Sequence, residues 1–148
     1  MMDLKNENRA HQSLMKIGVD VIEQVLAHAK REAPIEACGF LMGSGGIITR
    51  ALAITNAEQR EDHFTFNPEE QIEAYRTAKD AGLDIIGAYH SHPATPARPS
   101  AEDIRLAVDP ALLYVIVSLV DDRERVKAFR IGNGTVAEEF LEVEARRA

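Results

Sequence analysis

The chain has 148 residues, with 24 Asp and Glu against 17 Lys and Arg, a net charge of −7, one cysteine and five histidines. That length suits one domain, and 45% hydrophobic with 28% charged residues are the proportions of a chain that buries a core. One cysteine excludes a disulfide framework and a multi-thiolate zinc site, the acidic balance argues against nucleic acid as a partner, and no apolar stretch reaches the roughly 18 residues of a membrane helix.

Residues 1–13 are polar, with no apolar signal-peptide core, and read as a flexible tail ahead of one domain over 14–148. The expectation is a soluble, cytoplasmic protein. Leu14 to Ile17 reads as a short strand. Asp20, three residues before Glu23, has capping-box spacing and opens a helix. In that helix Val21, Ile22, Val25, Leu26 and Ala29 form one buried stripe, with His28 off the stripe, and Pro34 ends it. Cys38 to Gly43 and Ile47 to Thr55 are joined by Ser44-Gly45-Gly46 as a β-hairpin of open register. Phe64 to Phe66 reads as strand. Asn67-Pro68-Glu69-Glu70 supplies a cap, a first-turn proline and an acid for a second helix to about Ala81, with Gly82 as its stop. Asp84 to Tyr89 is an apolar strand buried on both faces. A third helix covers about Ala101 to Val108, and Leu112 to Val120 is a central strand. Arg125 to Ile131 pairs with Thr135 to Val143 around Gly132-Asn133-Gly134. The sum is an α/β fold, a mixed and mainly antiparallel sheet with helices packed on it.

Chemistry concentrates between His90 and Asp103. Two histidines two positions apart at a strand end point to the same side of the pleat, where both imidazoles can share one metal ion. Three of the six prolines fall between positions 93 and 99 and stiffen the loop that brings Asp103 back towards the rings. Two imidazoles and a carboxylate are three protein ligands, which leaves the fourth zinc position open, as in catalytic sites. Each part also has a plainer reading. Two histidines can end a strand at the solvent boundary, and Ser100-Ala101-Glu102-Asp103 fits a helix capping box. The whole string, H-S-H-P-x₆-S-x-x-D, is far more specific than its parts.

With every position filled, that string resembles the JAMM (MPN-plus) motif of zinc metalloproteases. The segment Pro34 to Gly43 is similar to the family's early segment, in which a glutamate precedes a strand. The tract from Phe64 through Asn67-Pro68 and Gly82 to Gly87-Ala88-Tyr89-His90 is similar to its helix and histidine-bearing strand. The resemblance covers about residues 14–140 and implies the JAMM sandwich fold. It further implies one Zn²⁺ per chain on His90, His92 and Asp103, Glu36 as general base, and Ser100 steadying the oxyanion. Read without it, Glu36 is more simply a solvated glutamate beyond a helix end. Relatives of this kind cleave peptide or isopeptide bonds after the C-terminal Gly-Gly of a ubiquitin-like protein. The short connections resemble compact prokaryotic members, which implies a sulfur carrier as partner, with trimming and amino-acid release both open. The alternative is a non-catalytic MPN-type module that binds a ubiquitin-like partner. A homodimer is compatible with either.

The hairpin from Phe40 to Thr55 offers an edge for an extended substrate tail. Cys38 is a redox-sensitive neighbour of the metal or, on the plainer reading, a buried small hydrophobe. His63 touches the cleft or sits exposed at a sheet edge. Arg98 holds a substrate carbonyl or is a solvated loop charge. Glu102 serves the helix N-terminus. His11, in the tail, and His28 are not ligand candidates.

Overall fold

The computed structural model describes residues 15–145 except 121 and 124. Leu14, the expected start of the first strand, and the expected tail over 1–13 with His11 lie outside the described residues. Strand β1 (Met15–Gly18) runs directly into helix α1 (Val19–Glu32). The helix starts earlier than the Asp20 capping box predicts: Gly18 is its N-cap, no side chain caps it, and Asp20 lies in the first turn. There the carboxylate meets the positive end of the helix dipole instead. The hairpin forms from β2 (Cys38–Ser44) and β3 (Ile47–Ile54), with its register shifting between Met42 and Gly43. Its turn uses left-handed backbone at Gly45 and Gly46 (φ 60° and 80°), which only glycine adopts without strain. Phe64 to Phe66 is extended but makes one isolated bridge, Phe66 to Asn56, rather than a strand.

Helix α2 (Pro68–Asp80) begins as its sequence dictates, with the Asn67 side chain accepting from the Glu70 N–H. Strand β4 (Asp84–His92) continues past Tyr89 and carries both histidines within the sheet. Helix α3 (Ala101–Leu106) is short, and β5 (Leu113–Ser118) pairs in parallel with β4. The predicted closing hairpin is corrected at Phe140. β6 (Val126–Gly132) pairs with β7 (Thr135–Glu139), but β8 (Leu141–Glu144) leaves to pair in parallel with β1.

The eight strands run in the order β7-β6-β5-β4-β2-β3-β1-β8. β7 and β8 lie at opposite ends of that order, yet Phe140 alone separates them in the chain. The sheet must therefore curl until these two end strands meet at Phe140. One face packs against α1 through Val21, Val25, Leu26 and Ala29 onto Leu41, Tyr89 and Val115. The other face is covered in two parts. Ala74 and Ala78 of α2 lie over Cys38, Phe40 and Ala88, while the α3 segment lies over Ile116, Phe129 and Ile131. His90 follows Ala88 on this second face, in the gap between the two coverings. Among the described residues, no helix is long and apolar enough to cross a membrane.

Candidate active site

The histidines are delivered by a strand that cannot slip. In β4, His90 pairs with Cys38 on one side and Ile116 on the other, and His92 pairs with Ser118. Ser91, fully buried between them, accepts the Ala37 N–H at its Oγ at 2.8 Å and donates its own N–H to the Ala37 carbonyl at 2.9 Å. The proline loop is pinned by contacts the sequence did not announce. Ser118 Oγ donates to the Thr95 carbonyl at 2.7 Å, and Ala97 plugs into the core beside Ile116. Ser100 and Asp103 then form a complete capping box, Asp103 N–H to Ser100 Oγ at 3.0 Å and Ser100 N–H to Asp103 Oδ2 at 2.9 Å. The capping reading of S-x-x-D and its place beside the histidines coexist.

Three donor atoms converge. His90 Nε2 and His92 Nε2 are 3.2 Å apart, and each lies 3.1 Å from Asp103 Oδ2. Ligands about 2.0–2.1 Å from a tetrahedral zinc are separated by roughly 3.3 Å, close to this triangle. The tautomer also fits. His92 Nδ1 lies 2.8 Å from the Pro96 carbonyl, which only accepts, so Nδ1 carries the hydrogen and neutral His92 presents a bare Nε2 to the centre. Among the described residues this is the group of three able to hold a metal ion. Burial lowers the His90 pKa against the opposing pull of Asp103. For His92 burial also lowers the pKa, but the Asp103 carboxylate and Pro96 carbonyl outweigh it and the net shift is upward. Burial opposes ionisation of Asp103, yet the two imidazoles beside it and the Ser100 N–H hold it well below the usual carboxylate range.

Glu36 enters from the segment just before β2. The register that pairs Cys38 with His90 and joins Ala37 to Ser91 places Glu36 opposite His92, on the same face. It is 5% exposed, and its Oε1 has no hydrogen-bond partner. Burial pushes its pKa up to about 8; His92 opposes the rise, and Asp103 adds to it. The reading of Glu36 as a solvated glutamate is thereby excluded. A buried carboxyl of raised proton affinity, beside three converging donors, is suited to taking up a proton and passing it on.

The remaining candidates separate clearly. Cys38 is fully buried, its Sγ 3.5 Å from the Ile54 carbonyl and its pKa pushed by burial to about 12, the inert hydrophobe of the plainer reading. His63 is not an exposed edge residue. Its Nε2 lies 2.9 Å from Glu58 and its Nδ1 3.1 Å from Glu102, so it links the loop after β3 to the helix of Asp103. Arg98 is exposed. His28 is buried, against its expected place off the stripe, because Nδ1 finds the Tyr89 hydroxyl at 2.8 Å. Phe64, which no motif marked, stacks on the His90 ring at 4.7 Å. A cleft of about 470 Å³ opens beside His90 and Asp103, walled by Phe64, Phe66, Tyr75 and Leu106. The hairpin edge expected for a substrate is corrected in part. β2 lies between β3 and β4, and β1 covers β3 only at Ile47 and Ile48.

Fold and site together define a JAMM-type metallopeptidase. Residues 18–132 match the Prok-JAB family, described as prokaryotic homologs of the JAB domain, and the chain belongs to that family. It is 38% identical over 133 residues to the "CysO-cysteine peptidase" of Mycobacterium tuberculosis, covering 88% of this chain and 91% of that one. It is 33% identical to the "Desampylase" of Haloferax volcanii over 72% of this chain and 81% of the relative. Among solved structures, a Desulfitobacterium hafniense protein superposes with TM-score 0.81 at 39% identity, covering 89% and 94% of the two chains. A structure described as "JAMM: A Metalloprotease-like Zinc Site in the Proteasome and Signalosome" superposes with TM-score 0.58 at 26% identity, covering 88% and 98%.

Proposed function

We propose that the protein is a zinc-dependent hydrolase that cuts the amide bond after the C-terminal Gly-Gly of a ubiquitin-like sulfur carrier in the cytoplasm. The observation that carries this reading is the buried, unpartnered carboxyl of Glu36 on the same sheet face as three donors 3.1–3.2 Å apart. His90, His92 and Asp103 hold one Zn²⁺ per chain. When bound, zinc supplies Lewis acidity for the scissile carbonyl and makes water acidic enough to attack near neutral pH. Glu36 takes a proton from the attacking water and passes it to the departing amine nitrogen, so the C–N bond breaks without releasing an amide anion. Ser100, whose Oγ accepts the Asp103 N–H, keeps its own hydroxyl hydrogen to donate to the carbonyl oxygen as charge grows there. The carrier tail lies in the cleft beside His90, where the extended Phe64–Phe66 segment has backbone to offer it.

The names of the relatives support two leaving groups, an amino acid for the mycobacterial CysO-cysteine peptidase and a protein for the "Probable TtuB-protein conjugate cleaving protease" of Thermus thermophilus. Both depart through an amine nitrogen, and the roles above serve either. The test is chelation followed by metal return. A carrier–peptide fusion is cleaved, cleavage stops when zinc is removed, and it resumes when zinc is restored. Binding of the carrier that survives chelation, with no cleavage under any condition, identifies a non-catalytic module instead.

A further inference from the structure

Glu36 lies one step outside the sheet. β2 begins at Cys38, so neither main-chain group of Glu36 is held by the ladder that fixes His90 and His92. At the end of its side chain, Oε1 is buried without a partner. What holds the residue is the loop after β3. The Glu36 N–H donates to the Arg60 carbonyl at 2.9 Å, and the Glu36 carbonyl accepts from Asn56 Nδ2 at 3.1 Å.

Asn56 is 4% exposed and belongs to no motif. Its Nδ2 also donates to the His63 carbonyl at 3.0 Å, and its Oδ1 accepts the Glu58 N–H at 3.1 Å and the Thr65 N–H at 3.2 Å. Two donor hydrogens and two acceptor positions are all an asparagine side chain offers, and all four are used. The segment closed by these bonds includes His63, which reaches Glu102, and Phe64, which stacks on His90. One amide therefore ties the main chain of Glu36 to a loop that leans on both a histidine of the cluster and the helix carrying Asp103.

We propose that Asn56 is a positioning residue: it sets Glu36 relative to His90, His92 and Asp103 through the hydrogen bond to the Glu36 carbonyl, without touching substrate. The inference rests on the reading of Glu36 as the general base. A displacement of about 1 Å in a catalytic group costs on the order of 100-fold in rate, while binding of a remote substrate body is unaffected. The cost therefore falls on kcat and spares KM.

The test uses the zinc-loaded protein and a carrier–peptide fusion. Asn56→Ala removes all four bonds. Asn56→Leu also breaks the bond to the Glu36 carbonyl but keeps the buried volume and introduces no charge, and so provides a folded variant if alanine is too destabilising. Both lower kcat about 10–100-fold with KM within about threefold, and both retain one zinc per chain. Under single turnover, adding Asn56→Ala to Glu36→Gln costs no more than about twofold beyond Glu36→Gln alone, because one residue acts through the other. Parental kcat in both variants, loss of zinc in step with activity, or multiplying losses in the double variant overturns the inference. Parental cleavage by Glu36→Gln alone would instead remove the base assignment on which it rests.

Discussion

Glu36 is where position and chemistry meet at the scale of single residues. Glu36→Gln keeps the shape but cannot accept a proton, so cleavage falls about 10²–10⁴-fold while zinc content stays unchanged. The same variant affects stability. With a folded pKa of about 8 against an ordinary value of 4.5, Glu36 holds a proton in the folded chain that the unfolded chain has released between those pH values. Metal-free stability therefore falls as pH rises through that window, and Glu36→Gln flattens the fall, by an amount of order a few kcal/mol. Denaturant titrations of both metal-free proteins at pH 5 and pH 8.5 read this directly. Ser100 combines a cap with a hydroxyl, and the two separate by substitution. Ser100→Ala loses about 1 kcal/mol of stability and about 10²–10³ in kcat. Ser100→Asn, a good N-cap without a hydroxyl, recovers the thermal midpoint but not the rate.

At the scale of elements, α1 is tied to the sheet by a polar bond inside an apolar core. His28 donates to or accepts from the Tyr89 hydroxyl at 2.8 Å, and Tyr89 is 1% exposed. His28→Phe leaves that hydroxyl unsatisfied and costs about 1–3 kcal/mol. Burial lowers the His28 pKa, so its contribution is complete above the ordinary value of 6.5 and is lost as pH falls below it. Thermal midpoints between pH 5 and pH 7.5 show that acid-side loss in the parent and a smaller one in His28→Phe. This element also shows where sequence reading stops. The apolar stripe of α1 was legible from its period, but the burial of His28 depends on a partner 61 residues away. Likewise, the Asp20–Glu23 spacing suggested a cap, yet β1 runs into α1 so directly that Gly18 takes the position. By contrast, the Asn67 cap and the Ser100–Asp103 box are local and were read correctly.

At the scale of the whole molecule, the curled sheet brings distant segments to one place. The two histidines and Asp103 were legible because fourteen residues carry the spacing, the prolines and the capping pattern together. Glu36 was named only through family resemblance, since its burial follows from a register between β2 and β4 that no local pattern encodes. Asn56 and Phe64 were not legible at all: their roles come from what the loop after β3 touches once the sheet has closed. Phe140 hides the closure itself, because one residue between two strands reads as one continuous strand.

The proposed reaction is hydrolysis of the bond after a carrier's Gly-Gly end. It is tested most directly by intact-mass measurement of a ubiquitin-like carrier bearing one extra C-terminal amino acid, incubated with the zinc-loaded protein. The expected product has the mass of the carrier ending in Gly-Gly, with the amino acid released, and Glu36→Gln yields none. An unchanged carrier mass with zinc fully bound, or a cut at any other bond, would contradict it.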